Sequence, residues 1–160
     1  MTSQPPRYTD RPLPAYRFVP GRRPHPTRSP QGHSYHQPEI PGTLDPDNWE
    51  ECEKYLFAID LFNNHYFWEA HEALEPLWLD AGRDSPTGRF LQGLIKISAA
   101  LLKHSMGNMD GAVSHAAGGG ALLCGAEGIR LGIDGADLAA RVLAFITGET
   151  GEPPAIELQR

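Results

Sequence analysis

The chain is poor in cysteine. Cys52 and Cys124 are the only two, they lie far apart, and neither belongs to a C-x-x-C pair. That argues against a disulfide framework and against a zinc knuckle, and reduced thiols fit a cytoplasmic location. No apolar run approaches the roughly 20 residues of a membrane span. The N-terminus carries arginines without an apolar h-region, so it does not read as a secretory signal. Gly118-Gly119-Gly120 has no G-K-[ST] after it, no strand before it and no G-x-G-x-x-G around it, which argues against a phosphate loop. No G-x-S-x-G surrounds Ser98, Ser105 or Ser114, so none reads as a nucleophile. No stretch alternates like a β-strand.

What is present is unevenly distributed. The net charge of −6 splits into two parts. Residues 1–42 hold six arginines against Asp10 and Glu39, while residues 43–160 carry a net −10. An acidic body is a poor electrostatic partner for nucleic acid, and no specific nucleic-acid ligand is expected. The basic segment is left to weak contact with nucleic acid or anionic membrane, or to its own acidic domain.

At 160 residues the chain fits one domain with a core that folds without staples. Ten of its fifteen prolines fall in residues 1–42, where no apolar periodicity appears. Proline removes amide donors and blocks helix. This segment is therefore expected to be a disordered or extended Pro/Arg-rich arm, with Tyr8, Tyr16, Phe18 and Tyr35 as loose anchors. His25, His33 and His36 are irregularly spaced and read as solvated. Residues 43–148 read as a helical bundle domain and residues 149–160 as a loose tail.

Five helices are predicted. The first begins at Asp45, a good N-cap followed by Pro46, and ends near Asn63-Asn64. The second runs from about Tyr66 to Ala81, and Pro76 predicts a kink or break before Leu77. The third opens with Ser85 and Pro86 and is apolar around most of its circumference, so it belongs in the middle. The fourth follows Asn108 as N-cap and is weakened by its three glycines. The fifth starts at Asp134. The fold class is all-α, a single antiparallel bundle of about five helices.

The stretch Asn63 to Trp78 concentrates the chemistry. On a helix, Phe67, Ala70, Leu74, Leu77 and Trp78 share an apolar arc. His65, Glu69, His71, Glu72 and Glu75 fall on the adjoining arc, with Trp68 and Leu79 among them. A polar strip among large apolar side chains must be hydrogen-bonded, metal-bound or wet. His71 and Glu75, four residues apart, can hold one divalent metal ion from one helical face. Glu72 is then a candidate base or an outer partner. His104 on the third helix is the expected third ligand if the two helices pack antiparallel. The favoured alternative is a structural seam in which His71 bonds Glu75 or a backbone carbonyl. Trp68, Trp78, Gln92 and Asn108 join that seam or an interface, with Gln92 expected to reach Glu75.

The blocks F-N-x-H-Y-F-W-E-A-H-E-A-L-E-P-L-W from Phe62, R-F-L-Q-G-L-I-K-I-S-A-A-L-L-K-H from Arg89, and G-N at Gly107-Asn108 resemble the bacterial and archaeal family catalogued as domain of unknown function 309. The resemblance covers the helical part and leaves out the arm. It implies a small all-helical bundle and no particular activity. Pro76 and the three glycines depart from the pattern. The reading is a cytoplasmic, non-catalytic module that binds a protein partner or a second copy of itself. The alternative is a metal-dependent, hydrolase-like enzyme using His71, Glu72 and Glu75.

Overall fold

The computed structural model describes residues 3–160. Its elements are a 3₁₀ helix (Pro46–Glu51), α1 (Glu53–Asn63), α2 (Phe67–Ala81), α3 (Pro86–Ser105), α4 (Met109–Cys124), β1 (Ile129–Arg130), β2 (Ile133–Asp134) and α5 (Gly135–Ile146). Consecutive α-helices pack on one another, and α3 touches α2, α4 and α5. The expected central position of α3 follows from its buried set, which includes Phe90, Leu91, Leu94, Ile97 and Leu101. No helix among the described residues is long and apolar enough to cross a membrane.

The first predicted helix is two pieces. Asp45 caps as expected, accepting the Asp47 N–H at 2.9 Å. Asn48 and Cys52 then leave helical geometry, so a 3₁₀ segment precedes α1. The break lets Trp49 pack edge-on against Tyr55 and lie over Gly132, where a Cβ would come within 2.8 Å of the indole. The left-handed stop after α1 is taken by His65 (φ 68°). Asn64 instead donates its side-chain amide to the Asp60 carbonyl at 2.8 Å.

Neither sequence irregularity breaks its helix. α2 runs through Pro76 to Ala81, and Gly82 (φ 89°) ends it. Proline removes the bond from its own missing N–H to the Glu72 carbonyl and its ring crowds that carbonyl, yet the helix continues, with Leu74 and Leu77 buried on either side. α4 stays helical through its three glycines because close packing needs one of them. A Cβ on Gly119 would stand 3.0 Å from the Gly93 carbonyl oxygen and 3.0 Å from Lys96 Cβ. The Gly93–Gly119 crossing brings α3 and α4 into near backbone contact.

The two-stranded hairpin was not foreseen, because two-residue strands are too short to show alternation. Its turn uses Leu131 (φ 51°) and Gly132 (φ 78°), the two positive φ values that such a tight turn requires. The Leu131 carbonyl accepts from the buried Tyr55 hydroxyl at 2.7 Å. Asp134 then caps α5 by accepting the Asp137 N–H at 3.1 Å.

Both terminal segments lie on the bundle. Residues 3–42 form neither helix nor strand, as their prolines require, yet Phe18 and Pro26 are buried. Asp60, fully buried on α1, accepts the Tyr8 N–H (2.7 Å), the Thr9 N–H (3.0 Å) and the Thr9 hydroxyl (2.6 Å). The tail is tied as well. Asn63 and Ile156 exchange two bonds of 2.9 and 2.7 Å, and the Leu158 N–H donates to the Tyr8 hydroxyl at 2.8 Å.

Gly119→Ala is expected to lower stability. Overpacking the crossing costs about 1–3 kcal/mol and outweighs the gain in helix propensity of up to about 1 kcal/mol. Gly118→Ala meets only the end of the Lys96 side chain at 3.4 Å and is expected to raise it. Urea unfolding of the two variants reads the opposite signs.

Candidate functional site

α2 presents two groups of polar side chains on adjoining faces. The first is His71, Glu72 and Glu75, one helical turn of partly exposed residues. His71 Nε2 lies 3.2 Å from Glu75 Oε1, and His71 Nδ1 lies 3.5 Å from Glu72 Oε1. One potential ligand atom from each of the three falls within 4.8 Å of the others. These are the i, i+1 and i+4 positions that the helical period brings together. Burial and the neighbouring Glu75 raise the Glu72 carboxyl above its ordinary value, partly offset by His71 and Arg28. A single cation among these groups would satisfy two carboxylates at once.

His104, the expected third ligand, is not in this group. It packs at a tilt against Phe145 of α5, ring centroids 4.5 Å apart. Gln92 makes no side-chain hydrogen bond among the described residues and does not reach Glu75. Asn108 caps α4, accepting the Gly111 N–H at 2.9 Å. Trp78 buries an indole N–H that has no partner among the described residues, and its ring lies beneath the Arg83 guanidinium at 5.0 Å. On the α4 side, burial with Lys103, Lys96 and His71 holds His115 below the usual histidine range.

The second group was not anticipated. Glu69, buried on α2, meets the arm. Its Oε2 accepts the Phe18 N–H at 3.0 Å and lies 2.7 Å from His33 Nε2. Both side chains are almost wholly shielded from water, at 5% and 2% exposure. Beside it, Trp68 is covered edge-on by Phe18 (5.0 Å) and His25 (5.3 Å). The His33 backbone is held in turn by the Tyr16 hydroxyl at 3.1 Å, which itself donates to the Pro24 carbonyl at 2.6 Å. Of the arm histidines, His33 is therefore a buried partner, and only its contact across more than thirty residues reveals this. No local spacing signals it. The one available hint was Glu69 itself, a carboxylate on an apolar helix that had to find a donor.

Where these elements meet, a cleft of about 240 Å³ opens between the arm, α1 and α2. Lys54, Phe57 and Leu61 line it from α1, and Trp68, Glu72 and Pro76 from α2.

Burial raises the Glu69 carboxyl above its ordinary value, against the opposing pull of His33 and the Phe18 amide. A raised folded value means that the folded state holds the proton more tightly. The resulting stability is complete below the unfolded carboxylate pKa and is lost as pH climbs through the folded one. Glu69→Gln is expected to flatten that part of the stability–pH curve, measured by urea unfolding across mildly acidic to neutral pH. Glu72 contributes the same sign and stays in place in the variant.

Residues 55–115 match the model of a family described as Domain of unknown function (DUF309), the family that the sequence resembles. The match spans α1 through the first half of α4, and the arm, the hairpin and α5 lie outside it. No curated protein matches the chain, and no solved structure does.

Proposed function

We propose that this helical bundle is a non-catalytic module that pairs with a second copy of itself through the solvent face of α4. The observation that carries the reading is an uncharged stripe. Met109, Val113, Ala117 and Ala121 recur every four residues and are all exposed, Met109 and Val113 at 45% and 47%. In the sixteen residues of α4 the only charge-bearing side chains besides the Cys124 thiol are Asp110 and His115. Residues 43–160 carry a net −10, so two copies repel one another over most of their surface. They meet without repulsion where charge is missing. The stripe is apolar enough to favour contact and lacks the lysines and glutamates that keep exposed helices solvated.

Trp68 no longer motivates an external partner, because the arm covers it. Leu79 remains exposed at 52% and stands apart from the α4 stripe. The two cysteines are unpaired, which suits a reducing compartment such as the cytoplasm.

A second reading rests on the His71, Glu72 and Glu75 group. Three potential ligand atoms within 4.8 Å, on a surface open to solvent, suit a divalent cation with its remaining positions filled by water or substrate. Glu72 would then act as base in a hydrolytic reaction. Elemental analysis of protein purified without chelator or histidine tag separates the readings. Near-stoichiometric metal that disappears in a His71→Ala, Glu75→Ala double variant supports the site, and metal-free protein makes the cluster structural.

For the association, Val113→Glu with Ala117→Glu places two carboxylates in the stripe. Light scattering on a sizing column is expected to show a wild-type dimer and a variant monomer with the same helical content. A wild type that stays monomeric at the highest soluble concentration would overturn the reading.

A further inference from the structure

We infer that the cleft between the arm and the first two helices binds a small carboxylic acid with an apolar body, its carboxylate seated on Lys54. The cleft has three walls. α1 contributes Lys54, Phe57 and Leu61, which the helical period places on one face. α2 contributes Ala73 and Pro76, and the arm closes the third side with Pro38. At about 240 Å³ it suits a compact ligand smaller than a typical cofactor.

Lys54 shows what the ligand must carry. Its side chain is nine-tenths buried, with 10% exposure. Its only close anionic neighbour among the described residues is Glu39, whose carboxylate is 3.8 Å away and 83% exposed. The ammonium makes no hydrogen bond there. An ammonium carries three donors, and this one is not sealed from solvent, so water is what a ligand at the cleft would replace. A ligand carboxylate within hydrogen-bond distance gives the ammonium a direct acceptor in place of water, and displacing the loose Glu39 contact costs little.

The other charges around the cleft narrow the class. Glu69 is already engaged by His33 and the Phe18 amide. Glu72 leans toward His71 at 3.5 Å. A phosphate or dicarboxylate would bring a second negative charge beside these two glutamates with one lysine to answer it. A monocarboxylate matches the single cation, and the apolar walls receive its hydrocarbon part.

Calorimetric titration of the full chain tests this with phenylacetate and hexanoate, one aromatic body and one aliphatic, against phenylacetamide as the neutral analogue. At least one acid is expected to bind about tenfold or more tightly than the amide, the worth of one charge-assisted hydrogen bond. Lys54→Met is expected to remove that preference. Ala73→Phe fills the cleft while leaving Lys54 in place, and is expected to abolish binding with the circular dichroism spectrum unchanged. No binding of either acid would overturn the proposal, as would equal binding of acid and amide, or an acid preference that survives either substitution. The monomeric Val113→Glu, Ala117→Glu variant is expected to bind like the wild type, so the cleft and the α4 association stand or fall separately.

Discussion

A carboxylate buried on the second helix sets the shape of this molecule. Glu69 sits inside an apolar face, and an ionised carboxylate there costs several kcal/mol unless donors reach it. The bundle supplies only Glu69's own backbone amide. The Phe18 amide and the His33 ring come from the arm, and they arrive only if that arm lies across α2. Asp60 repeats the logic one helix earlier. It is fully buried and takes its donors from Tyr8 and Thr9, with the Arg7 guanidinium at 3.3 Å. Two acids on the bundle thus fix two points of a segment that has no secondary structure of its own. The split in charge between a basic arm and an acidic body adds a general attraction. Covering Trp68 and closing the cleft both follow from the docking.

The α3–α4 crossing is the second constraint, and it bears on association. Gly93 and Gly119 let the two backbones approach, with Leu123 of α4 packed over Gly93 and Ile97 of α3 over Gly119. α4 is left thin and built from small residues. Its inward positions, Ala112, Ala116, Gly119 and Leu123, are buried, and its outward ones carry almost no charge. The same composition that allows the close crossing also leaves a bare face. The inner half of that statement is packing, and the outer half is where a second copy is proposed to sit.

Helical elements were legible because their signals are local. Asp45, Ser85, Asn108 and Asp134 cap where cap residues are expected, and the apolar period of α3 told its central place. Glycine and proline misled where long-range packing outweighs propensity: the triple glycine holds because α3 leans on it, and Pro76 costs one bond in a helix anchored elsewhere. The hairpin was too short to show a period. Of the candidate site, the His71, Glu72 and Glu75 group follows from helical spacing alone. His104 required knowing which way α3 turns, and it faces Phe145 instead. The arm was hardest. Its prolines correctly exclude helix and strand, but extended chain and disordered chain share a composition. What separates them here is a set of partners fifty residues away, invisible to any window along the sequence.

Amide hydrogen exchange of the full chain, read at Tyr8, Thr9 and Phe18, tests the docked arm most directly. These three N–H groups donate to Asp60 and Glu69, and nothing in an extended arm would protect them otherwise. Exchange far slower than in a free peptide at all three, lost at Phe18 in Glu69→Ala and at Tyr8 and Thr9 in Asp60→Ala, is the predicted result. Exchange at free-peptide rates in the wild type, with α1 to α5 protected, would contradict the account and leave the bundle without its third wall.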